Sequence, residues 1–90
     1  MYRIEFTHQY LKDLKLARKR KFDEDKLNQV IQILFSGSEL PAKYKNHRLK
    51  GNFQGLYECH ISPDWLLIYA KNDIIRLIKL IRTGTHSDLF

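Results

Sequence analysis

The chain has 90 residues, 43% of them hydrophobic and 29% charged, which indicates one globular domain over residues 1–90 and argues against a disordered segment. Sixteen Lys and Arg against ten Asp and Glu give a net charge of +6, which favours a polyanionic partner such as nucleic acid. A single cysteine excludes an internal disulfide and no stretch approaches the roughly 18 apolar residues that span a bilayer, so a reducing cytoplasm is expected.

Two helices are predicted after a short strand from Tyr2 to Phe6. Thr7 is placed to cap the first helix, whose inward face would carry Leu11, Leu14 and Ala17. Asp23 would cap the second helix and Gly37 would end it. The second helix has the apolar spacing typical of a core-facing helix, at Leu27, Val30, Ile31, Leu34 and Phe35.

The first helix is also rich in cations. Six of them lie within residues 12–21: Lys12, Lys15, Arg18, Lys19, Arg20 and Lys21. Such a run is either a solvated helix face or a surface that binds a polyanion, and the residues alone leave both interpretations open.

The second half of the chain changes to the alternating pattern of strands, predicted at residues 47–52, 56–61, 65–70 and 74–81. The connecting segments are short, which makes neighbouring strands antiparallel. The expected fold class is therefore α+β, with two N-terminal helices packed on a mainly antiparallel four- to five-stranded sheet. Cys59 alternates with apolar neighbours, so it is expected to be buried and inert.

This strand register would gather polar side chains at one end of the sheet. Residues around His47 would lie opposite His60 and Ile61, and residues around Arg82 would lie opposite residues 63–64. His86 follows Arg82 by four residues, within roughly 13 Å of extended chain, and can fold back onto the same corner. Three histidines and Asp64 would then meet there.

Paired histidines at a basic corner suit acid–base cleavage of a phosphodiester, because imidazole titrates near neutral pH. RNA carries its own nucleophile, the 2′-hydroxyl group. One imidazole would take that proton, and another would protonate the departing 5′-oxygen, without a metal. A metal site built from the same His and Asp side chains is the alternative, although no H-x-x-x-H pair or cysteine cluster supports it. The fourth histidine, His8, would lie elsewhere.

Two segments, KYKNHRLKGNFQGLYECHISPDWLLIY and RTGTHSDLF, resemble the YafQ branch of the RelE superfamily of bacterial toxins. The motifs N/D-H-x-L-x-G and E/D-x-H-x-x-P-D, closed by R-x-G-S/T-H-S/A-x-L-F, carry the resemblance, which covers nearly the whole chain. It implies a RelE-like microbial ribonuclease fold and a ribosome-dependent mRNA endonuclease that cuts in the A site without a metal cofactor. A DinJ-like antitoxin would wrap and silence the toxin, and their complex would repress its own operon.

The resemblance also implies roles for particular residues. His47 would be the general base and His86 the general acid, while His60 and Asp64 would orient groups and stabilise the transition state. Further substrate-binding positions would be Trp65, Phe90, Arg82 and Lys50.

The residues are compatible with two interpretations at each of three points. Arg82 would either neutralise the scissile phosphate or form a structural ion pair. The six helix cations, with Lys43, Lys45 and Lys50, would bind ribosomal RNA or an acidic antitoxin. The alternative to an enzyme is a catalytically silent toxin-like module that acts only in antitoxin or operator binding.

Overall fold

A computed structural model describes residues 1–90, which form three α-helices and one five-stranded sheet. The elements follow in the order β1 (Arg3–Phe6), α1 (His8–Lys19), α2 (Glu24–Ser36), β2 (His47–Arg48), β3 (Tyr57–Ser62), β4 (Trp65–Asn72), β5 (Leu77–Gly84) and α3 (His86–Leu89). Short 3₁₀ turns at Ala42–Tyr44 and Gly51–Phe53 lie before and after β2.

The strands lie in the order β1-β5-β4-β3-β2. All neighbours are antiparallel except β1 and β5, which are parallel. The predicted α+β class is therefore confirmed, with the refinement that the sheet is mixed. No helix combines the length and the apolar character that crossing a membrane would require.

The ends of the two long helices follow local sequence, as predicted. The Thr7 side chain accepts a hydrogen bond from the Tyr10 backbone N–H at 2.9 Å, and Asp23 caps α2 in the same manner. Gly37 ends α2 with φ of 81°, a left-handed conformation that costs glycine nothing. These caps satisfy helix-terminal groups that would otherwise lack partners.

The buried face of α1 differs from the predicted one. Tyr10, Asp13 and Ala17 are buried, whereas Leu11 is 39% exposed and Leu14 is only half-buried. The helix is turned this way because Asp13 pairs with a guanidinium on β5, a contact that apolar periodicity cannot reveal. In α2, the predicted core residues Leu27, Val30 and Leu34 are buried, whereas Ile31 is half-buried and Phe35 lies at the rim.

Two predicted strands are shorter than expected. β2 is only two residues long, because Gly51 adopts φ of 67° and leads the chain into a 3₁₀ turn. Ile74 and Ile75 lie in the β4–β5 turn, where the Asn72 side chain accepts hydrogen bonds from both backbone N–H groups. This local turn outweighs the strand preference of β-branched residues.

The registers predicted for both hairpins need correction. His47 lies opposite Glu58, two residues away from the predicted partner, and a shift of two preserves the face of the sheet. Arg82 lies opposite Ile68, not opposite residues 63–64. The tight turn that joins Ser62 to Trp65 consumes residues 63–64, and the bulge after Ile68 shifts the register further.

The two faces of the sheet have different coverings. α1 and α2 cover one face and share the main hydrophobic core with β3, β4 and β5. The opposite face has a smaller apolar cluster of Leu66, Ile68 and Leu89, the last contributed by α3. The C-terminal segment is therefore packed onto the sheet.

Candidate active site

Three histidines meet at one corner of the protein, as the sequence predicted. The His60 and His86 rings lie edge to face with centroids 5.7 Å apart. The Nε2 atoms of His47 and His60 lie 3.5 and 3.6 Å from the same Glu58 carboxylate oxygen. His8, at the start of α1, is exposed and outside these contacts.

His86 is held by Asp64. The Asp64 carboxylate accepts two hydrogen bonds from His86, one from the backbone N–H at 3.0 Å and one from Nδ1 at 2.6 Å. Nδ1 must carry a proton to donate, so Nε2 is the atom that remains available for chemistry. Both side chains are more than half exposed, so a substrate can reach them.

The Asp64 carboxyl is ionised over a wide pH range. Its pKa is lowered first by the His86 backbone N–H, then by the His86 imidazole. Because this pKa is lower in the folded chain than in the unfolded chain, the contact stabilises the folded state above the unfolded pKa. That contribution is lost as the pH falls through the folded pKa. At neutral pH Asp64 therefore stays negative and keeps its hydrogen bonds to His86.

His47 has the tautomer that suits a general base. Its Nδ1 lies 2.9 Å from the Lys45 carbonyl oxygen, which can only accept, so Nδ1 donates. In the neutral ring Nε2 then has no proton and can take one. Lys45 itself has φ of 49°, a left-handed conformation that turns the chain out of the preceding 3₁₀ helix.

Glu58 is the functional residue that the sequence reasoning missed. It is 5% exposed, yet its carboxylate lies between His47 and His60. From its alternation with Cys59, the sequence predicts only that Glu58 lies on the opposite face of β3 and does not predict its partners. The E-x-H spacing was the available signal, because residues two apart on a strand share a face. A carboxylate here orients both rings and stabilises an imidazolium that forms on either.

Replacing Glu58 by glutamine tests this role. The change preserves size and removes the charge, so we expect roughly tenfold slower cleavage of RNA, the reaction predicted from the sequence. This is less than the ~10²–10³-fold cost of losing a group that contacts the transition state directly. Single-turnover rates measure it, and circular dichroism reports the fold. Glu5→Gln, on exposed β1, is the matched control and should leave the rate unchanged. A Glu58→Gln rate equal to that of wild type would contradict the role.

Arg82 is engaged in a structural ion pair. Its Nε and one terminal nitrogen donate to the Asp13 carboxylate at 2.8 and 3.0 Å, and the Thr83 backbone N–H donates to the same group. Of the two predicted roles of Arg82, the structure shows the ion pair. A contact with the scissile phosphate stays a prediction. Asp13 was not identified from the sequence, because it lies among cations on α1.

Two other candidates from the sequence occupy contrasting positions. Trp65 is 3% exposed and packs at 5.0 Å from the Phe22 ring, in the core. Phe90 is 61% exposed and lies edge-on to Phe53 at 5.5 Å, whereas Leu89 is buried and anchors the tail. Contact with substrate stays a prediction for both aromatic residues, and exposure favours Phe90.

Phe90→Leu separates a stacking platform from an anchor. We expect weaker substrate binding, seen as about a tenfold higher KM, because stacking on one base contributes ~1–3 kcal/mol. The free energy of unfolding should change by less than about 0.5 kcal/mol, as for other surface positions. Steady-state cleavage and urea denaturation provide the two measurements. A large loss of stability with unchanged KM would show instead that Phe90 is an anchor.

Cys59 is unsuited to nucleophilic chemistry. It is fully buried, and burial raises the pKa of its thiol to about 12. The prediction that it is a buried core residue is confirmed, and its inertness stays a prediction.

The predicted cationic surface is exposed but partly neutralised. All six cations of the run at residues 12–21 are exposed. Arg18 pairs with Glu24 and Arg20 with Asp88, which leaves four lysines without an ion pair. Lys50 is also exposed, next to the Gly51 turn. A cleft of about 440 Å³ beside His60 adds three further lysines: Lys26, Lys43 and Lys45.

Comparisons with known proteins identify a family. A family described as "Bacterial toxin of type II toxin-antitoxin system, YafQ" matches residues 2–90. The chain is 46% identical to an Escherichia coli K12 protein named mRNA interferase toxin YafQ, over 97% of this chain and 94% of that protein.

Two solved structures are similar over the full length. The E. coli DinJ–YafQ complex contains a chain that is 42% identical, with a TM-score of 0.91 and coverage of 100% of this chain and 99% of that one. A structure described as a metal-bound toxin from Helicobacter pylori is 40% identical, with a TM-score of 0.92 and complete coverage of both chains.

Proposed function

The chain belongs to the YafQ family of toxins of bacterial type II toxin–antitoxin systems, and from this membership we propose that it is an mRNA interferase. It is a ribosome-dependent endoribonuclease that cuts mRNA in the A site and so stops translation. One observation carries the proposal: the His86 ring, bound to Asp64 at 2.6 Å, lies beside the His60 ring, and His60 and His47 approach the same Glu58 oxygen. This arrangement offers an acid and a base to one phosphodiester.

The proposed reaction balances without any added reactant. His47 takes the proton of the RNA 2′-hydroxyl through Nε2, and the 2′-oxygen attacks the adjacent phosphorus. The bond from phosphorus to the 5′-oxygen breaks, and His86 donates its Nε2 proton to that leaving oxygen. The products are a 2′,3′-cyclic phosphate and a 5′-hydroxyl end. Glu58 and Asp64 stabilise the two imidazolium forms, and His60 stabilises charge on the phosphate.

The proposed partners rest on the comparisons and on the charge distribution. A DinJ-like antitoxin is the proposed inhibitor, since one of the similar solved structures is the E. coli DinJ–YafQ complex. Four exposed, unpaired lysines on and after α1 form the proposed contact with ribosomal RNA or with acidic antitoxin segments: Lys12, Lys15, Lys19 and Lys21. A polyanion contact of this type weakens steeply with salt. Operator DNA would be reached only through the antitoxin complex.

Mapping mRNA 5′ ends after brief induction tests the function. Wild type should produce cuts locked to the reading frame, with 5′-hydroxyl ends, and co-expression of the antitoxin should abolish them. Intact mRNA together with tight operator binding would instead support the silent module.

Chelation tests the role of metal. No group of three or more His, Cys, Asp or Glu side chains is arranged to hold a metal ion, although the H. pylori relative is described as metal-bound. A reconstituted system keeps the ribosome's own Mg²⁺ while transition metals are chelated. Cleavage there should continue at the same rate as without the chelator. Loss of activity that one added transition metal restores would support a metal-dependent nuclease.

A further inference from the structure

The position of His86 depends on a very short helix. α3 has four residues, too few to be stable alone. A capping box closes its start, where the Thr85 hydroxyl accepts from the Asp88 N–H and the Asp88 carboxylate accepts from the Thr85 N–H. Leu89 is buried against the sheet. These contacts shape the tail, but they all come from the C-terminal half of the chain.

One contact reaches the tail from the N-terminal half. The Arg20 guanidinium donates to both Asp88 oxygens, at 2.5 and 3.2 Å, across 68 positions of sequence. The Arg20 ion pair, with the Thr85 backbone N–H, holds the pKa of Asp88 well below its usual range. The pair is therefore charged wherever the enzyme works, and Asp88 joins the capping box to α1.

The backbone around Arg20 is held by a hydrogen bond and by ring packing. It ends α1, where Lys21 turns the chain with φ of 59° and the Phe22 N–H bonds back to the Ala17 carbonyl at 3.0 Å. The Phe22 ring then packs on Trp65, which is adjacent to Asp64. The end of α1 that carries Arg20 therefore packs on the first residue of β4, next to the Asp64 side chain that binds His86.

We propose that Arg20 is a positioning residue for the cleavage reaction, because its ion pair with Asp88 holds α3 and places the His86 imidazole on Asp64. This inference rests on the proposed function. It also removes Arg20 from the predicted polyanion-binding surface, where Lys19 and Lys21 remain. An ion pair of this exposure adds little to global stability, but a misplaced catalytic group costs much in rate.

Arg20→Met is the test, because methionine keeps much of the length and removes the charge. Single-turnover cleavage on programmed ribosomes should show roughly a tenfold lower kcat with unchanged KM and unchanged salt dependence. Arg20→Lys should recover part of the rate. If Arg20→Met instead raises KM, lowers the salt dependence and leaves kcat unchanged, Arg20 binds the polyanion and the proposal is overturned.

Two matched controls isolate the tail. Lys79→Met removes one positive charge from an exposed position of β5 that lies outside the proposed RNA-contacting surface, so kcat should not change. Arg18→Met breaks the pair with Glu24, which has no link to α3, and kcat should again stay the same. Equal kcat losses in all three variants would show a general effect of charge and would contradict the proposal.

Backbone dynamics test the positioning role without any RNA. In the full-length protein, the amides of residues 86–90 should have order parameters of about 0.85, falling below about 0.6 in Arg20→Met and unchanged in Lys79→Met. An ordered tail in Arg20→Met overturns the inference. Because this measurement needs no cleavage, it remains decisive even if the wild-type protein leaves mRNA intact and the proposed function fails.

Discussion

His86→Ala is expected to lower the rate of mRNA cleavage by ~10²–10⁴-fold, the usual cost of losing a general acid. The fold should survive, because His86 is exposed and supports no core. Single-turnover cleavage gives the rate, and thermal unfolding gives the stability. His8→Ala is the matched control, since it removes an exposed histidine from the start of α1, away from the site. A His86→Ala protein that is folded and fully active would contradict the role of His86 as general acid.

A modified substrate assigns the acid and the base. An mRNA with sulfur in place of the bridging 5′-oxygen at the cut has a leaving group that needs no proton. This substrate should restore most of the rate to His86→Ala and none to His47→Ala, because only the acid step has been bypassed. The opposite pattern would exchange the two roles. Rescue of neither variant would show that proton transfer to the leaving group is not the task of either histidine.

Trp65→Ala is expected to lower the free energy of unfolding by ~3–5 kcal/mol, because it empties a large buried volume. The indole packs on Phe22, and its N–H donates to the Thr83 hydroxyl at 2.9 Å, which in turn donates to the Leu66 carbonyl at 2.7 Å. A small domain has ~5–15 kcal/mol of stability in total, so this variant should be largely unfolded at 37 °C. Urea denaturation measures the change directly.

Trp65→Phe distinguishes support of the core from contact with substrate. Phenylalanine keeps an aromatic ring against Phe22 and removes the donor to Thr83, at a cost of ~1–3 kcal/mol. The variant should fold and cleave mRNA at a rate close to that of wild type. A well-folded Trp65→Phe protein without activity would show that the indole contacts the substrate.

Local features of the fold were predictable from the sequence. The caps at Thr7, Asp23 and Gly37 and the core face of α2 depend on residues one to four positions apart, so short-range chemistry determines them. The failures have physical causes of longer range. The α1 face was set by the Asp13 ion pair, and the β4–β5 turn by an asparagine side chain that outweighs two isoleucines.

The candidate site was predictable as a set of residue types, and less so as a geometry. The motifs identified the three histidines and Asp64, and the structure brings them together. Glu58 was missed because alternation shows which face a side chain occupies, and not which groups share that face across strands. The Lys45 carbonyl was missed because backbone partners leave no trace in residue identity.

The sequence by itself determined one basic domain, two capped helices, a mainly antiparallel sheet, and a set of acid–base side chains in the C-terminal half of the chain. Tertiary structure alone decided which charges are paired. Asp13 meets Arg82, and Arg20 meets Asp88, across 69 and 68 positions. Such partners are chosen by how helices dock on the sheet. For that reason RTGTHSDLF is a tail held from both halves of the chain, with His86 fixed at the site.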